Sequence, residues 1–169
     1  MEIRVQKLTD VSLMRRACEM TRKGSGKPSK MTLRSIYDCE HSPIRTQFFW
    51  IEMIGVLSFV SVHFVRHKIG VEHFVQSNRE DRGGTAEVNR KTPVNHGMLV
   101  NAQALINMAR KRLCYKAHKE SRETMLAIKD EIAKVDPDLA TFLVPECEYR
   151  KGCHEPRTCG WWKNRDVAE

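Results

Sequence analysis

A chain of 169 residues has the length of one domain, and its 41% apolar content is enough for a single core. Its 29 Lys and Arg against 21 Asp and Glu give a net charge of +8, a field that favours phosphates, nucleotides or nucleic acid over cationic partners. No apolar run approaches the roughly 20 residues of a membrane span, and Met1-Glu2-Ile3-Arg4 lacks a signal-peptide core, so a soluble, cytoplasmic protein is expected.

Ile3, Val5 and Leu8 predict a short first strand, and Asp10 is placed to cap a helix from Val11 to about Arg22. Gly24-Ser25-Gly26-Lys27-Pro28-Ser29 is basic and glycine-containing but lacks the Gly-Lys-Ser/Thr ending that cradles a phosphate, so it reads as a mobile connection. Thr32 to Cys39 predicts a short helix, stopped by His41-Ser42-Pro43. The β-branched and aromatic run from Thr46 to about Ile54 predicts a strand, which Gly55 breaks before a second apolar segment, Val56 to Val65. A connecting loop is expected from Glu80 to Met98. Beyond it the pattern turns helical, with Leu99, Ala102, Ile106, Ala109 and Leu113 recurring at spacings of three and four along one buried stripe. A second helix is expected from about Ala117 to Lys134, ending at Val135-Asp136-Pro137 because the residue before a proline avoids the α region. Residues 145–169, rich in Cys, Gly, Pro and Trp, have no period and read as an irregular appendage to a domain over residues 1–144. Strand and helix patterns alternate, so the fold class expected is α/β (α+β).

Chemistry concentrates between Phe64 and Arg79. Arg66, His67 and Lys68 stand in a row behind an apolar run, and Gln76, Ser77 and Arg79 follow. This pattern suits a phosphorylated or otherwise anionic ligand; alone, it also suits a solvated helix end whose cations complement the helix dipole. Asn101, Met108 and Arg112 share one helical face, because seven and eleven residues are close to whole turns of about 3.6 residues. His73 and His96 stand isolated and read as structural or exposed. Among the six cysteines, Cys147, Cys153 and Cys159 cluster with His154 near the C-terminus. That set reads either as a tetrahedral zinc site or as free thiols packed under Trp161 and Trp162.

The run Arg66-His67-Lys68, then Gln76-Ser77 and Arg79, resembles the signature of the flavin-dependent thymidylate synthases, also called thymidylate synthase complementing proteins. That signature is Arg-His-Arg, seven residues, Ser, and an Arg two positions on. His41-Ser42-Pro43 with the strand after it is similar to the family's His-x-Ser/Thr-Pro segment. Asn101-Ala102-Gln103, Arg112 and Ala117-His118-x-Glu120-x-Arg122 are similar to its Asn-Ala-Arg helix and the run that follows, so the matching blocks cover roughly residues 10 to 125. The resemblance implies a central β-sheet flanked by long helices. It implies reductive methylation of dUMP to dTMP, with methylenetetrahydrofolate as carbon donor and FAD, reduced by NADPH, as hydride source. Ser42, Arg66, His67, Lys68, Asn101 and Asn107 would form the flavin side; His63, Gln76, Ser77, Arg79 and Arg112 would form the deoxyuridylate side. Ser77 and Arg112 would be the catalytic residues, binding and polarising the substrate, since guanidinium forks match phosphate oxygens. The family is homotetrameric, with the flavin between subunits, and so compact a chain suits a phage or bacterial genome.

Several residues depart from the family pattern. Lys68 stands where the family has its second Arg, which keeps the charge but loses the bidentate fork. One extra residue precedes Ser77, Glu80 replaces a customary Tyr, and Gln103 replaces the helix Arg. The short Glu80-to-Met98 loop stands where members carry a longer segment with an Arg before Leu-Pro, and Arg90 with Pro93 is a candidate remnant of it. Two other readings stay open. One is a shortened relative that binds flavin but acts on another pyrimidine nucleotide or is inactive. The other is a basic, zinc-containing nucleic-acid-binding module whose Trp161 and Trp162 stack on bases.

Overall fold

The computed structural model describes residues 1–23, 31–85 and 87–164. The expected connection at 24–29 lies outside them. Four strands, β1 (Glu2–Lys7), β2 (Phe48–Leu57), β3 (Val71–Val75) and β4 (Pro93–Asn101), form one antiparallel sheet in the order β1-β2-β4-β3. Helices α1 (Val11–Met20), α2 (Leu33–Asp38), α3 (Ser58–Val65), α4 (Ala102–Arg112) and α5 (Lys119–Val135) accompany it. The class is therefore the expected α/β (α+β), a central sheet flanked by helices.

Local chemistry fixes several element ends, the Asp10 cap as anticipated. Asp10 caps α1 by accepting from Ser12 N at 2.7 Å, and Thr32 caps α2 by accepting from Ser35 N at 3.1 Å. Ser42–Thr46 forms a single 3-10 turn with Pro43 near its start. After α5, Asp136 begins a short α6 (Pro137–Ala140), accepting from Leu139 N at 3.0 Å. The same carboxylate receives the Tyr37 hydroxyl at 2.8 Å and the Lys7 ammonium at 2.6 Å. One buried acid thus ties β1, α2 and the α5–α6 junction together.

The core lies between one face of the sheet and the helices. Phe49, Ile51 and Met53 of β2 and Met98 and Val100 of β4 are buried with Phe59, Val60 and Phe64 of α3. Leu105 and Ile106 of α4 and Met125, Ile128 and Ile132 of α5 complete it. Burial of each such side chain stabilises the fold by about 1.5–3 kcal/mol. Trp50, Glu52 and Ile54 alternate onto the opposite sheet face, where Trp50 and Phe74 stand 5.6 Å apart between ring centroids. Gly97 permits this: a Cβ there would lie 2.8 Å from the Trp50 ring.

Two expectations are corrected. Gly55 does not end the strand; it adopts φ +69° and sits in a register shift between Met53 and Val56, so β2 continues to Leu57 as a bulged strand. The expected Glu80-to-Met98 loop also ends early, because Val94, His96, Met98 and Val100 alternate into the core and build β4, a central strand. Helix α4 accordingly begins at Ala102 rather than near Met98, with Asn101 as its cap.

Candidate functional site

The strand-to-helix step at Leu57 sends α3 back across the sheet, and the backbone amides of Ser58 and Phe59 are held by the carbonyls of Thr92 and Arg90 at 3.0 and 3.1 Å. This brings Arg90 to the start of α3, where its guanidinium stands 5.5 Å from the centre of the Phe59 ring. At the other end of α3, Arg66 is the C-cap, and the next residue, His67, accepts from Arg112 Nε at 3.0 Å. Arg112 is the last residue of α4, so two helix ends converge here.

Imidazoles fill the space between the arginines. His63 Nδ1 lies 2.7 Å from the Ser121 hydroxyl, and the Phe59 ring meets His63 and His118 at centroid distances of 5.7 and 4.7 Å. Among the described residues, none of Arg66, Arg90 and Arg112 is paired with a carboxylate, whereas His118 binds Glu120 at 2.5 Å. The electrostatics follow. Burial, then Arg112, Arg66, His118 and Arg90, push His63 below its ordinary value; burial, then Arg112 and His73, push His67 from 6.5 to about 4. Burial and the neighbouring Arg66 also lower Arg112. A cluster of cations that disfavour one another, with few acids nearby, is a receptor for anions.

A second tier supports the turn after α3. His73 Nε2 lies 2.7 Å from the His67 carbonyl, His73 Nδ1 lies 2.9 Å from His96 Nε2, and His96 Nδ1 lies 3.0 Å from the Ser61 hydroxyl. His96 is buried, and burial followed by His73 lowers it to about 4. Gly70 closes the turn at φ +75°, its carbonyl accepting from Asn101 N at 2.9 Å; a Cβ there would lie 2.5 Å from the Asn101 amide.

The residues singled out in the sequence therefore divide. Arg66, His67, Arg112 and His63 come together, with Lys68 exposed on the same turn. Asn101 lies beside that turn, with its side-chain oxygen accepting from Ala104 N at 2.9 Å, and Met108 of the same helical face is in the core. Asn107 sits elsewhere on α4, accepting from Gln103 and Arg110, both of which bind Glu40. Ser42 is exposed at the 3-10 turn. Gln76, Ser77 and Arg79 follow the far end of β3, five residues at about 3.3 Å each from the Arg66 turn. There the Gln76 side chain accepts from Asn95 N at 2.9 Å, Ser77 accepts from Arg79 N at 3.3 Å, and Arg79 grips Asp81 through two nitrogens at 2.9 and 2.7 Å.

Phe59, Ser121, His73 and His96 were not recognisable as parts of a site. An apolar run does not single out one Phe, and the histidines became visible only with the β4 alternation.

The C-terminal sulfur and imidazole groups gather around one cavity without forming a metal cluster among the described residues. Cys114, Cys147, Cys153, His154 and Cys159 border a cavity of about 480 Å³ beyond Arg112, yet among the described residues no three His, Cys, Asp or Glu side chains converge to hold a metal. The Cys147 thiol is pushed up by burial and by Cys114, while the Thr158 hydroxyl and the Glu155 amide lower Cys153. Rings and ion pairs hold this segment instead. Tyr115 stacks on Trp161 at 5.1 Å, Arg110 lies 3.5 Å from the Tyr149 ring centre, and Lys116 donates to the Arg157 carbonyl at 2.8 Å.

One pH effect follows from the buried imidazoles. His67 and His96 are held uncharged when folded, so their contribution is fully present above the unfolded value near 6.5 and is lost as pH falls toward 4. The expected slope is up to about 1.4 kcal/mol per pH unit for each ring. Urea midpoints should be level above pH 7 and decline between pH 6.5 and 5, before most carboxylates titrate. A midpoint constant through that window would contradict it.

The fold is similar to that of flavin-dependent thymidylate synthases. Thymidylate synthase X from Helicobacter pylori, solved with FAD and dUMP, has a TM-score of 0.67 at 14% identity, over 87% of this chain and 99% of that one. A second structure of the H. pylori enzyme with the same ligands gives 0.67 and 14%, over 85% and 100%. The UMP/dUMP methylase PolB from Streptomyces cacaoi, bound with 5-Br dUMP, gives 0.63 at 12% identity, over 83% and 94%. At these identities the likeness establishes the fold. No family model and no curated protein sequence matches the chain. Among the described residues no helix is long and apolar enough to cross a membrane.

Proposed function

We propose that the chain is a flavin-dependent enzyme of thymidylate-synthase type, methylating the uracil ring of dUMP with methylenetetrahydrofolate and using FAD reduced by NADPH. The observation that carries this reading is the junction of Arg66, Arg90 and Arg112 around Phe59 and His67, three arginines that pair with no carboxylate among the described residues, in a fold whose solved neighbours include one with FAD and dUMP.

The donor set fits a flavin dinucleotide. Arg66, His67 and Lys68 present hydrogen-bond donors on one turn, suited to its phosphates. Arg112 and His63 would serve the nucleotide beside it. Bound flavin supplies hydride transfer; the chain supplies orientation and charge. Asn101 would act by fixing the Gly70 turn, whereas Asn107 and Ser42 stand apart from the Arg66 turn.

Gln76, Ser77 and Arg79 would serve a site shared with another copy of the chain. A homotetramer is supported by the uncovered sheet face, where Trp50, Ile54, Phe74 and Val75 border an open groove of about 420 Å³ and Phe74 is 56% exposed. A second reading has its own observation. Arg79 is already engaged by Asp81 and Gln76 by the Asn95 backbone, which favours a relative that keeps the flavin and takes another pyrimidine nucleotide.

The purified protein should show flavin absorption bands, either as isolated or after reconstitution with FAD, and should release tritium from 5-labelled dUMP when folate and reductant are present. Absence of flavin binding sinks both readings. Flavin binding without tritium release, but with affinity for another pyrimidine nucleotide, selects the second.

A further inference from the structure

The hydrogen bonds around His67 run in only one direction. Arginine nitrogens donate and never accept, so the His67 Nε2 that meets Arg112 Nε at 3.0 Å must be the lone-pair nitrogen. The ring proton then sits on Nδ1, which has no partner among the described residues. A carbonyl only accepts, so His73 Nε2, at 2.7 Å from the His67 carbonyl, carries a proton. In neutral His73 the other nitrogen accepts, from His96 Nε2–H at 2.9 Å, and His96 Nδ1 in turn accepts the Ser61 hydroxyl proton at 3.0 Å. Every donor from Ser61 to the His67 carbonyl then has one acceptor.

Resting on the anion-binding reading above, we infer that His67 meets its ligand as a neutral donor through Nδ1–H, aimed at a phosphate oxygen, and that His73, His96 and Ser61 are positioning residues that lock its main chain. The arrangement is specific in a way another arginine would not be. A guanidinium adds charge to a site already holding Arg66 and Arg112, whereas a neutral imidazole adds a directed donor without further cation repulsion. Burial and the adjacent Arg112 disfavour a charged His67, in keeping with this assignment. The three supporting side chains come from α3, β3 and β4, so the lock spans the sheet and the helix that delivers Arg66.

Long-range proton–nitrogen NMR of the ligand-free protein at pH 7 reads the proton positions directly. The expected pattern is Nδ1–H for His67 and Nε2–H for both His73 and His96. A proton on His67 Nε2, or a doubly protonated His67 ring, overturns the inference whether or not flavin binds.

Variants test the positioning role. In His73→Gln the amide nitrogen still donates to the His67 carbonyl and its oxygen still accepts from His96, so FAD affinity should stay within about threefold; His73→Phe should lose about tenfold, the effect of a single hydrogen bond. The His67 tautomer signal should shift in the Phe variant and not in the Gln variant. A folded His73→Phe protein with unchanged His67 resonances would refute the lock. If the resonances behave as expected and no variant or parent binds FAD, the flavin reading fails while the proton assignment stands.

Discussion

Replacing Arg112 by Ala is expected to weaken binding of FAD and of dUMP by roughly ten- to a hundredfold, the worth of one hydrogen bond to a charged group at about 1.5–3 kcal/mol. Arg112 is half-buried at the meeting of α3 and α4, beside Arg66 and bonded to His67, so a phosphate placed there would gain both charge and a fixed donor. Arg112→Lys should recover only part of the loss, because an ammonium keeps the charge without the planar fork. Folding should change little, since removing Arg112 also relieves a desolvated cation held against its neighbours. The substitution also frees His67 from an adjacent positive charge, so the imidazole should titrate above about 4, while burial, the larger cause, still holds it below its ordinary value. Calorimetric titration with each ligand, together with the His67 titration curve, measures both effects. Unchanged affinity for both ligands would remove Arg112 from the site.

Asp136 carries the largest expected effect on stability. Its carboxylate is 5% exposed and holds Lys7 from β1, Tyr37 from α2 and the Leu139 amide of α6. Asp136→Ala would strand a partly buried ammonium and a buried phenol, and breaking a buried pair in this way costs about 3–5 kcal/mol. Asp136→Asn keeps one oxygen, which can still accept from the Leu139 amide at the Oδ1 position but leaves the Oδ2 position, where Tyr37 and Lys7 bind, without an acceptor, so its cost should be smaller than that of Ala but still about 1–3 kcal/mol. Urea unfolding measures both. Equal losses for Ala and Asn would show that the charge, not the remaining acceptor, carries the network, and no loss for Ala would remove the network from the account of the fold. Ligand affinity per folded molecule should be unchanged in either variant, because the network contacts neither Arg112 nor His67.

The two effects come from parts of the chain that differed in how clearly the sequence announced them. Arg66 and His67 were legible as chemistry because they follow an apolar run and their order resembles a known signature, whereas Arg112, in the charge run Arg110-Lys111-Arg112, was singled out by that resemblance and by its helical spacing from Asn101. Asp136 was legible only as a helix boundary before Pro137; its service to Lys7 and Tyr37, at separations of 129 and 99 residues, was not. Gly55 was misjudged for a related reason. A glycine in a strand pattern signals either an end or a bulge, and only pairing with β4 shows that the strand continues. The segment before Asn101 looked irregular because Pro93, Asn95 and Gly97 occupy its exposed or partly exposed positions, masking the alternation of Val94, His96, Met98 and Val100.

By itself, the amino-acid sequence determined what depends on near neighbours along the chain: the caps Asp10 and Thr32, the stop before Pro137, the apolar stripe of α4 and the excess of cations. Only the tertiary structure decided which of those cations meet. Arg112 reaches His67 across 45 residues and His73 reaches His96 across 23, through the register of β3 on β4 and the return of α3 over the sheet. In a strand a shift of one residue turns each side chain to the other face. Partners distant in sequence are therefore fixed by strand pairing, which no local pattern of residues specifies.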